Sequence, residues 1–110
     1  MARALIVGPD RGLEAPLAEH GVETVRIETP ASGEDLERAG VADASLCFLT
    51  DAAEATLVSV ARERHPEIRI VWYAPRTVPE FATRQLDLGV DPTLIGPTVL
   101  VEEQLASLDA

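Results

Sequence analysis

The stretch Ala4-Leu5-Ile6-Val7-Gly8-Pro9-Asp10-Arg11-Gly12 decides the fold, because a continuous apolar run passes through a glycine turn into a helical pattern. A strand, a glycine turn and a helix in this order form the phosphate-binding unit of dinucleotide-binding folds, in which backbone N–H groups hold the pyrophosphate. The complete G-x-G-x-x-G pattern is absent, since Pro9 has no N–H and Asp10 places a negative charge where a phosphate would lie. The turn therefore predicts a Rossmann-like origin with a degenerate phosphate loop.

Short apolar runs alternate with helical patterns along the whole chain. Several of these runs are continuously apolar, as is typical of strands that helices cover on both faces. Repeated β–α units with right-handed crossovers predict that residues 1–110 form a single domain, a three-layer α/β/α sandwich with a five-stranded parallel sheet. The predicted strands are residues 4–7, 24–27, 45–49, 68–73 and 93–95.

The predicted helices carry start and stop signals. Ser32 precedes Asp35 by three residues, which is the spacing of a capping box, and Asp51 precedes Glu54 in the same way. These signals place the helix starts between the predicted strands. Glycines in the left-handed conformation commonly end helices, and three follow predicted helix ends: Gly21, Gly40 and Gly89.

The chain is strongly acidic and contains no lysine. Its 19 Asp and Glu residues face nine Arg residues, which gives a formal net charge of −10. Molar salt shortens the Debye length to roughly 3 Å and screens the resulting self-repulsion, so the composition is typical of cytosolic proteins of halophilic archaea. The same charge argues against nucleic-acid binding, because no basic patch is available to neutralise phosphates.

Composition also bears on location. No apolar run approaches the roughly 18 residues of a membrane span, so no membrane insertion is expected. The N-terminus runs into a strand without an apolar signal segment, and one cysteine allows no internal disulfide. Both features predict a cytoplasmic protein.

The carboxyl ends of the predicted strands contain the candidate ligand-binding residues, because open parallel sheets bind ligands at that edge. Glu28 ends the second strand, 20 residues after Gly8, where its carboxylate either accepts hydrogen bonds from a ribose or is simply solvated. Thr50 and Asp51 follow the third strand and either bind a ligand or cap the next helix.

Two arginines and a tyrosine complete the candidate site. Arg11 and Arg76 either neutralise a phosphate or pair with neighbouring acids, and Tyr73 could stack on a base. The predicted nucleotide-binding residues are Gly8, Asp10, Arg11, Gly12, Glu28, Thr50, Asp51 and Tyr73.

The sequence predicts neither a catalytic residue nor a metal site. His20 and His65 lie at predicted helix C-termini, and Cys47 lies inside an apolar strand as a core thiol. The absence of lysine excludes Schiff-base and P-loop mechanisms. A non-catalytic protein is therefore expected.

From Ser32 onward the chain resembles the TrkA-N domain, a Rossmann-type NAD-binding module that regulates potassium channels and transporters. This resemblance implies the strand order 3-2-1-4-5 and an NAD or adenine-nucleotide ligand, with phosphates near Gly8 and Gly12 and ribose at Glu28. The family's phosphate turn has a central glycine that is missing here, and the arginine that often ends its fourth strand is matched by Tyr73. The resemblance rests on Leu36-Glu37-Arg38-Ala39-Gly40, Ala42-Asp43-Ala44, Thr50-Asp51 with Glu54-Ala55, Ala61-Arg62-Glu63-Arg64-His65-Pro66, Arg69-Ile70-Val71, Leu88-Gly89-Val90-Asp91 and Leu94-Ile95-Gly96-Pro97.

The chain also resembles response-regulator receiver domains, through Leu5-Ile6-Val7-Gly8-Pro9-Asp10 and Leu88-Gly89-Val90-Asp91 with Gly96-Pro97. This second resemblance implies the flavodoxin-like order 2-1-3-4-5. The family's lysine before the late proline is replaced by Gly96, only Asp10 remains of its early acidic pair, and Thr50 stands about where its phosphoacceptor aspartate would be.

Two functions follow from the two resemblances. The first is a regulatory module that binds NAD or an adenine nucleotide and acts through a homodimer or a partner protein. The alternative is a ligand-free protein-interaction module, either a degenerate TrkA-N domain or a pseudo-receiver.

We expect the protein to unfold or expand when the salt concentration falls below the molar range, because its acidic surface is then no longer screened. Circular dichroism and size-exclusion chromatography over a KCl series check this expectation. A compact, fully folded protein in dilute buffer would contradict it.

Overall fold

Five parallel strands form one sheet in the order β2-β1-β3-β4-β5. The computed structural model describes residues 2–108. The strands are β1 (Arg3–Val7), β2 (Glu23–Ile27), β3 (Leu46–Leu49), β4 (Arg69–Tyr73) and β5 (Leu88–Val90). The helices are α1 (Glu14–Glu19), α2 (Gly33–Arg38), α3 (Leu57–Arg64), α4 (Glu80–Thr83) and α5 (Pro97–Leu108).

Helices cover both faces of the sheet, which confirms the predicted α/β/α sandwich. Residues of α2, α3 and α4 join the core on one face, where Leu5, Val7 and Trp72 point. Residues of α1 and α5 join the core on the other face with Ile6 and Phe48. Apart from Arg3 and Arg69, which begin β1 and β4, every residue of the three central strands is buried, because helices cover both of their faces.

The observed strand order corrects the expected order 3-2-1-4-5 and matches the alternative 2-1-3-4-5. β1 pairs with β2 on one side and with β3 on the other, and Ala4 faces Leu46 in the second pairing. The physical reason lies in the two strands concerned. β2 carries Glu23 and Arg26 and is partly exposed, whereas β3 is buried at every position. The polar strand therefore takes the edge of the sheet, and the apolar strand takes an interior position.

The fifth strand is Leu88–Val90, so the prediction of a strand at 93–95 is wrong. Gly89, expected to end a helix, lies in the middle of β5 beside Trp72 of β4. Residues 93–95 instead belong to a turn before α5, in which the Asp91 carboxylate accepts a hydrogen bond from the Thr93 N–H at 2.8 Å. The short run around Gly89 is a strand because its neighbour β4 offers a free edge to pair with.

Three other local expectations are confirmed. Ser32 and Asp35 form a complete capping box at the start of α2, and hydrogen bonds from Ser32 lower the pKa of Asp35. Gly21 and Gly40 have positive φ angles of 73° and 87°. Cys47 is fully buried, and burial raises the pKa of its thiol to about 12.

Over residues 2–108, the helices are too short or too polar for any of them to cross a membrane.

Candidate functional site

The loops after β1 and β3 meet at the carboxyl edge of the sheet. The helices that follow these strands, α1 and α3, pack on opposite faces, so this edge is the topological switch point at which open sheets bind ligands. Gly8 lies against Thr50 and Asp51: a Cβ atom at Gly8 would stand 2.6 Å from the Thr50 Oγ1 atom. With its φ of 119°, this position accepts only glycine without strain.

Thr50 joins the two loops. Its buried hydroxyl donates to the Pro9 carbonyl oxygen at 2.6 Å, and the Val7 carbonyl oxygen lies 3.1 Å away. In return, the Thr50 carbonyl oxygen accepts from Nε of Arg11 at 2.8 Å. The side chain that was expected to bind a ligand is therefore engaged inside the protein.

Asp10 occupies the place where a phosphate would bind. Its carboxylate accepts hydrogen bonds from the N–H groups of Gly12, at 3.1 Å, and of Glu14, at 2.8 Å. These N–H groups stand at the start of α1, where a phosphate loop would present them to a ligand. A Cβ atom at Gly12 would lie 2.9 Å from Pro97 Cγ, so this glycine also allows α5 to approach.

Asp51 caps the 3-10 turn formed by Ala52–Glu54, in agreement with the capping interpretation. Its carboxylate accepts from the Thr29 hydroxyl at 2.8 Å and from the Ala53 N–H at 2.9 Å. These two hydrogen bonds, together with the nearby charge of Arg11, hold the pKa of Asp51 below its usual value. Asp51 is therefore an ionised group whose two oxygens both have partners.

Two predicted residues lie apart from this edge cluster. The Glu28 side chain is 88% exposed, and its closest cation is the Arg26 guanidinium at 4.0 Å, as expected for a solvated acid. Tyr73 is 1% exposed, packs in the core beneath α5 and donates its hydroxyl to the Ile95 carbonyl oxygen at 2.7 Å. Burial also raises the pKa of its phenol. The base-stacking interpretation of Tyr73 is wrong, because its ring has no open face.

A cleft of about 530 Å³ opens between the loops after β3 and β4. It brings Arg11, Asp51 and Arg76 together, and the loop of Arg76 is held by a hydrogen bond from Trp72 Nε1 to its carbonyl oxygen at 3.0 Å. Arg11, Asp51 and Arg76 are among the candidates that the sequence placed at the strand ends, whereas the prolines and Thr77 of the loop after β4 were not among them. The lining residues are Arg11, Asp51, Ala52, Ala53, Trp72, Pro75, Arg76, Thr77 and Pro79.

Within the described part of the chain, no group of three or more His, Cys, Asp or Glu side chains is placed to hold a metal ion.

A family model described as a family of unknown function, DUF7126, matches residues 4–104. The chain belongs to this family. None of the curated proteins matches the DUF7126 chain.

Solved structures similar to the DUF7126 chain include several response regulators. An orphan response regulator of H. pylori is 22% identical with a TM-score of 0.76, and the match covers 97% of this chain and 96% of that chain. An atypical orphan response regulator, described as having a phosphorylation-independent regulatory mechanism, is 22% identical with a TM-score of 0.73, over 97% and 95% of the two chains. A CheY-like receiver domain protein of Methanospirillum hungatei is 19% identical with a TM-score of 0.72, over 99% and 94%.

These neighbours establish the receiver-like, flavodoxin-like fold of the DUF7126 chain. They agree with the second resemblance that the sequence offered, and they do not support the resemblance to TrkA-N.

We expect Thr50→Val to lower the free energy of unfolding by about 1–3 kcal/mol, because the buried Thr50 hydroxyl is lost and the Val7 and Pro9 carbonyl oxygens lose their donor. Urea denaturation in molar KCl measures the change. The matched control is Thr98→Val on the exposed first turn of α5, which should leave the stability within about 0.5 kcal/mol of the wild type. Equal effects of the two substitutions would show that the Thr50 hydrogen bond does not stabilise the loop junction.

Proposed function

We propose that this DUF7126 chain is a receiver-like protein-interaction module that works without phosphotransfer. The observation that carries the proposal is the state of the carboxyl edge: the polar side chains of Asp10, Thr50 and Asp51 all have hydrogen-bond partners within the chain.

The positions that matter in receivers support this proposal. Thr50 stands about where receivers have their phosphoacceptor aspartate, and its hydroxyl is buried and bonded to Pro9. Asp51, one residue later, is bonded to Thr29 and Ala53. Gly96 takes the place of the receiver lysine before the late proline. One similar response regulator is itself described as phosphorylation-independent.

The same contacts favour the interaction module over a nucleotide-binding module. A pyrophosphate bound in the Rossmann manner would have to displace the Asp10 carboxylate from Gly12 and Glu14. An adenine or nicotinamide ring would find Tyr73 buried.

An exposed apolar surface beside β5 is the candidate interaction surface. It consists of Phe81 on α4, Leu94 in the turn before α5 and Val99 on α5, which are 59%, 80% and 49% exposed. β5 is an edge strand of three residues, so its outer backbone groups have no neighbouring strand. Large apolar side chains that stay exposed on the elements flanking a sheet edge are typical of protein-binding surfaces.

The charges around this surface favour a second copy of the chain as its partner. Arg84 directly follows α4 and is exposed, whereas Glu102 and Glu103 lie on the same outer side of α5 as Val99. In a two-fold symmetric interface each patch meets its counterpart, so Arg84 of each copy can approach the glutamates of the other. Such pairing would offset part of the repulsion between two acidic chains.

We expect no covalent phosphoryl group on the protein after incubation with acetyl phosphate and Mg²⁺ in molar KCl, because the chain offers no unbonded carboxylate at the receiver position. Intact-mass spectrometry measures the outcome, and a phosphorylatable receiver domain treated in parallel verifies the donor. Melting curves with NAD, ATP, ADP and AMP should show no shift beyond the one that inorganic phosphate gives at the same concentration, because the N–H groups of Gly12 and Glu14 are already bonded to Asp10. A phosphoryl adduct on Asp51, or a shift that a nucleotide gives and inorganic phosphate does not, would overturn the proposal.

We expect a dimer in molar KCl that Phe81→Glu and Leu94→Glu each convert to a monomer, because each places a charge in the apolar interface. Multi-angle light scattering after size exclusion gives the mass. Leu108→Glu is the matched control, since Leu108 is also exposed but lies at the other end of α5. A monomeric wild type at high protein concentration, or a dimer unaffected by both interface substitutions, would contradict the proposed surface.

A further inference from the structure

The cleft between the loops after β3 and β4 presents two guanidinium groups, those of Arg11 and Arg76. We call it the Arg11–Arg76 cleft. Within residues 2–108, five other arginines have a carboxylate oxygen within the 4.0 Å of an ion pair: Arg3, Arg26, Arg38, Arg62 and Arg64. Four arginines have no such partner there, namely Arg11, Arg69, Arg76 and Arg84, and of these only Arg11 and Arg76 line the cleft. In a chain of net charge −10, two cations without ion pairs in one concave site form an unusual arrangement.

Hydrogen bonds hold the side chain of Arg11 and the backbone of Arg76. Arg11 adopts a positive φ of 51°, which is unfavourable for a residue other than glycine. Its Nε donates to the Thr50 carbonyl oxygen, and this bond leaves the two terminal nitrogens for another acceptor. The loop of Arg76 is anchored by the hydrogen bond from Trp72.

The remaining lining of the cleft suits a small organic molecule. Pro75, Pro79 and the edge of Trp72 supply apolar walls, and Thr77 supplies a hydroxyl. A volume of about 530 Å³ lies within the range of small-molecule sites. Asp51 is the only carboxylate of the lining, and its oxygens are bonded to Thr29 and Ala53.

We propose that the Arg11–Arg76 cleft binds an oxyanion, the phosphate or carboxylate group of a small molecule, through the two guanidinium groups. Guanidinium forks match the geometry of both kinds of oxyanion and form charge-assisted hydrogen bonds with them. The binding is non-covalent and reversible, so it is independent of phosphotransfer. It uses the loop after β4 and leaves the N–H groups of Gly12 and Glu14 with Asp10.

Inorganic phosphate and benzoate are suitable probes, because the second adds an apolar ring to the anion. Trp72 is the only tryptophan of the chain and borders the cleft, so its fluorescence reports binding. The titration is made in molar KCl, in which chloride competes for unspecific cationic sites. We expect a saturable change with at least one probe, and a carboxylate-specific or phosphate-specific response distinguishes the two sources of the oxyanion.

Substitutions test whether the signal comes from the cleft. Arg76→Gln should weaken binding by about tenfold or more, because a charge-assisted hydrogen bond is lost. Arg11→Gln should act in the same direction. The matched control is Arg38→Gln, which removes the same charge from a side chain that is 70% exposed and lies outside the cleft, and it should leave the affinity unchanged. Asp51→Asn should strengthen binding, since it removes the only negative charge of the lining.

Two results would overturn this proposal. One is the absence of a saturable fluorescence change with either probe in the folded wild type. The other is an equal loss of affinity in Arg38→Gln and Arg76→Gln, which would mean that net charge alone governs the response. Neither result depends on whether the protein dimerises through Phe81 and Leu94.

Discussion

The close contact between Gly8 and Thr50 is the constraint on which the rest of the carboxyl edge depends. Because β1 and β3 are neighbours, the loops that leave them must pass each other within van der Waals distance. Glycine makes the passage possible, and the Thr50 hydroxyl then closes it with a hydrogen bond to Pro9. Arg11 completes the junction from the other side by donating to the Thr50 carbonyl oxygen. The turn that begins like a phosphate loop is thus locked to the neighbouring strand.

The sequence alone was sufficient for the fold class, because buried parallel strands are continuously apolar and Ser32, Gly21 and Gly40 mark helix boundaries by local chemistry. Hydrophobic periodicity alone does not predict the strand order. That order depends on which of the strands β2 and β3 can be buried on both faces. The charged side chains of Glu23 and Arg26 indicate an edge position for β2, whereas the resemblance to TrkA-N implies an interior position for this strand. The fifth strand was not predicted, because a glycine such as Gly89 commonly follows the end of a helix. Residues 88–90 form a strand because they pair with β4.

Part of the candidate site could also be predicted from the sequence. Gly8, Asp10, Thr50 and Asp51 were placed together because strand ends of a parallel sheet converge. Their partners were not predictable, since hydrogen bonds such as the one between Thr29 and Asp51 join residues distant in sequence. The side on which Tyr73 points was likewise decided by packing beneath α5. The walls of the Arg11–Arg76 cleft come from a loop whose path depends on one hydrogen bond from Trp72.

The carboxylate of Asp10 is, in effect, a ligand that the chain carries with it. A tethered group competes with free anions at a high effective concentration and cannot diffuse away. Any external phosphate would therefore have to outcompete a bound group that is replaced as soon as it leaves. A single side chain therefore keeps the N–H groups of Gly12 and Glu14 from binding free anions, and any small molecule that binds at this edge of the sheet must use other groups.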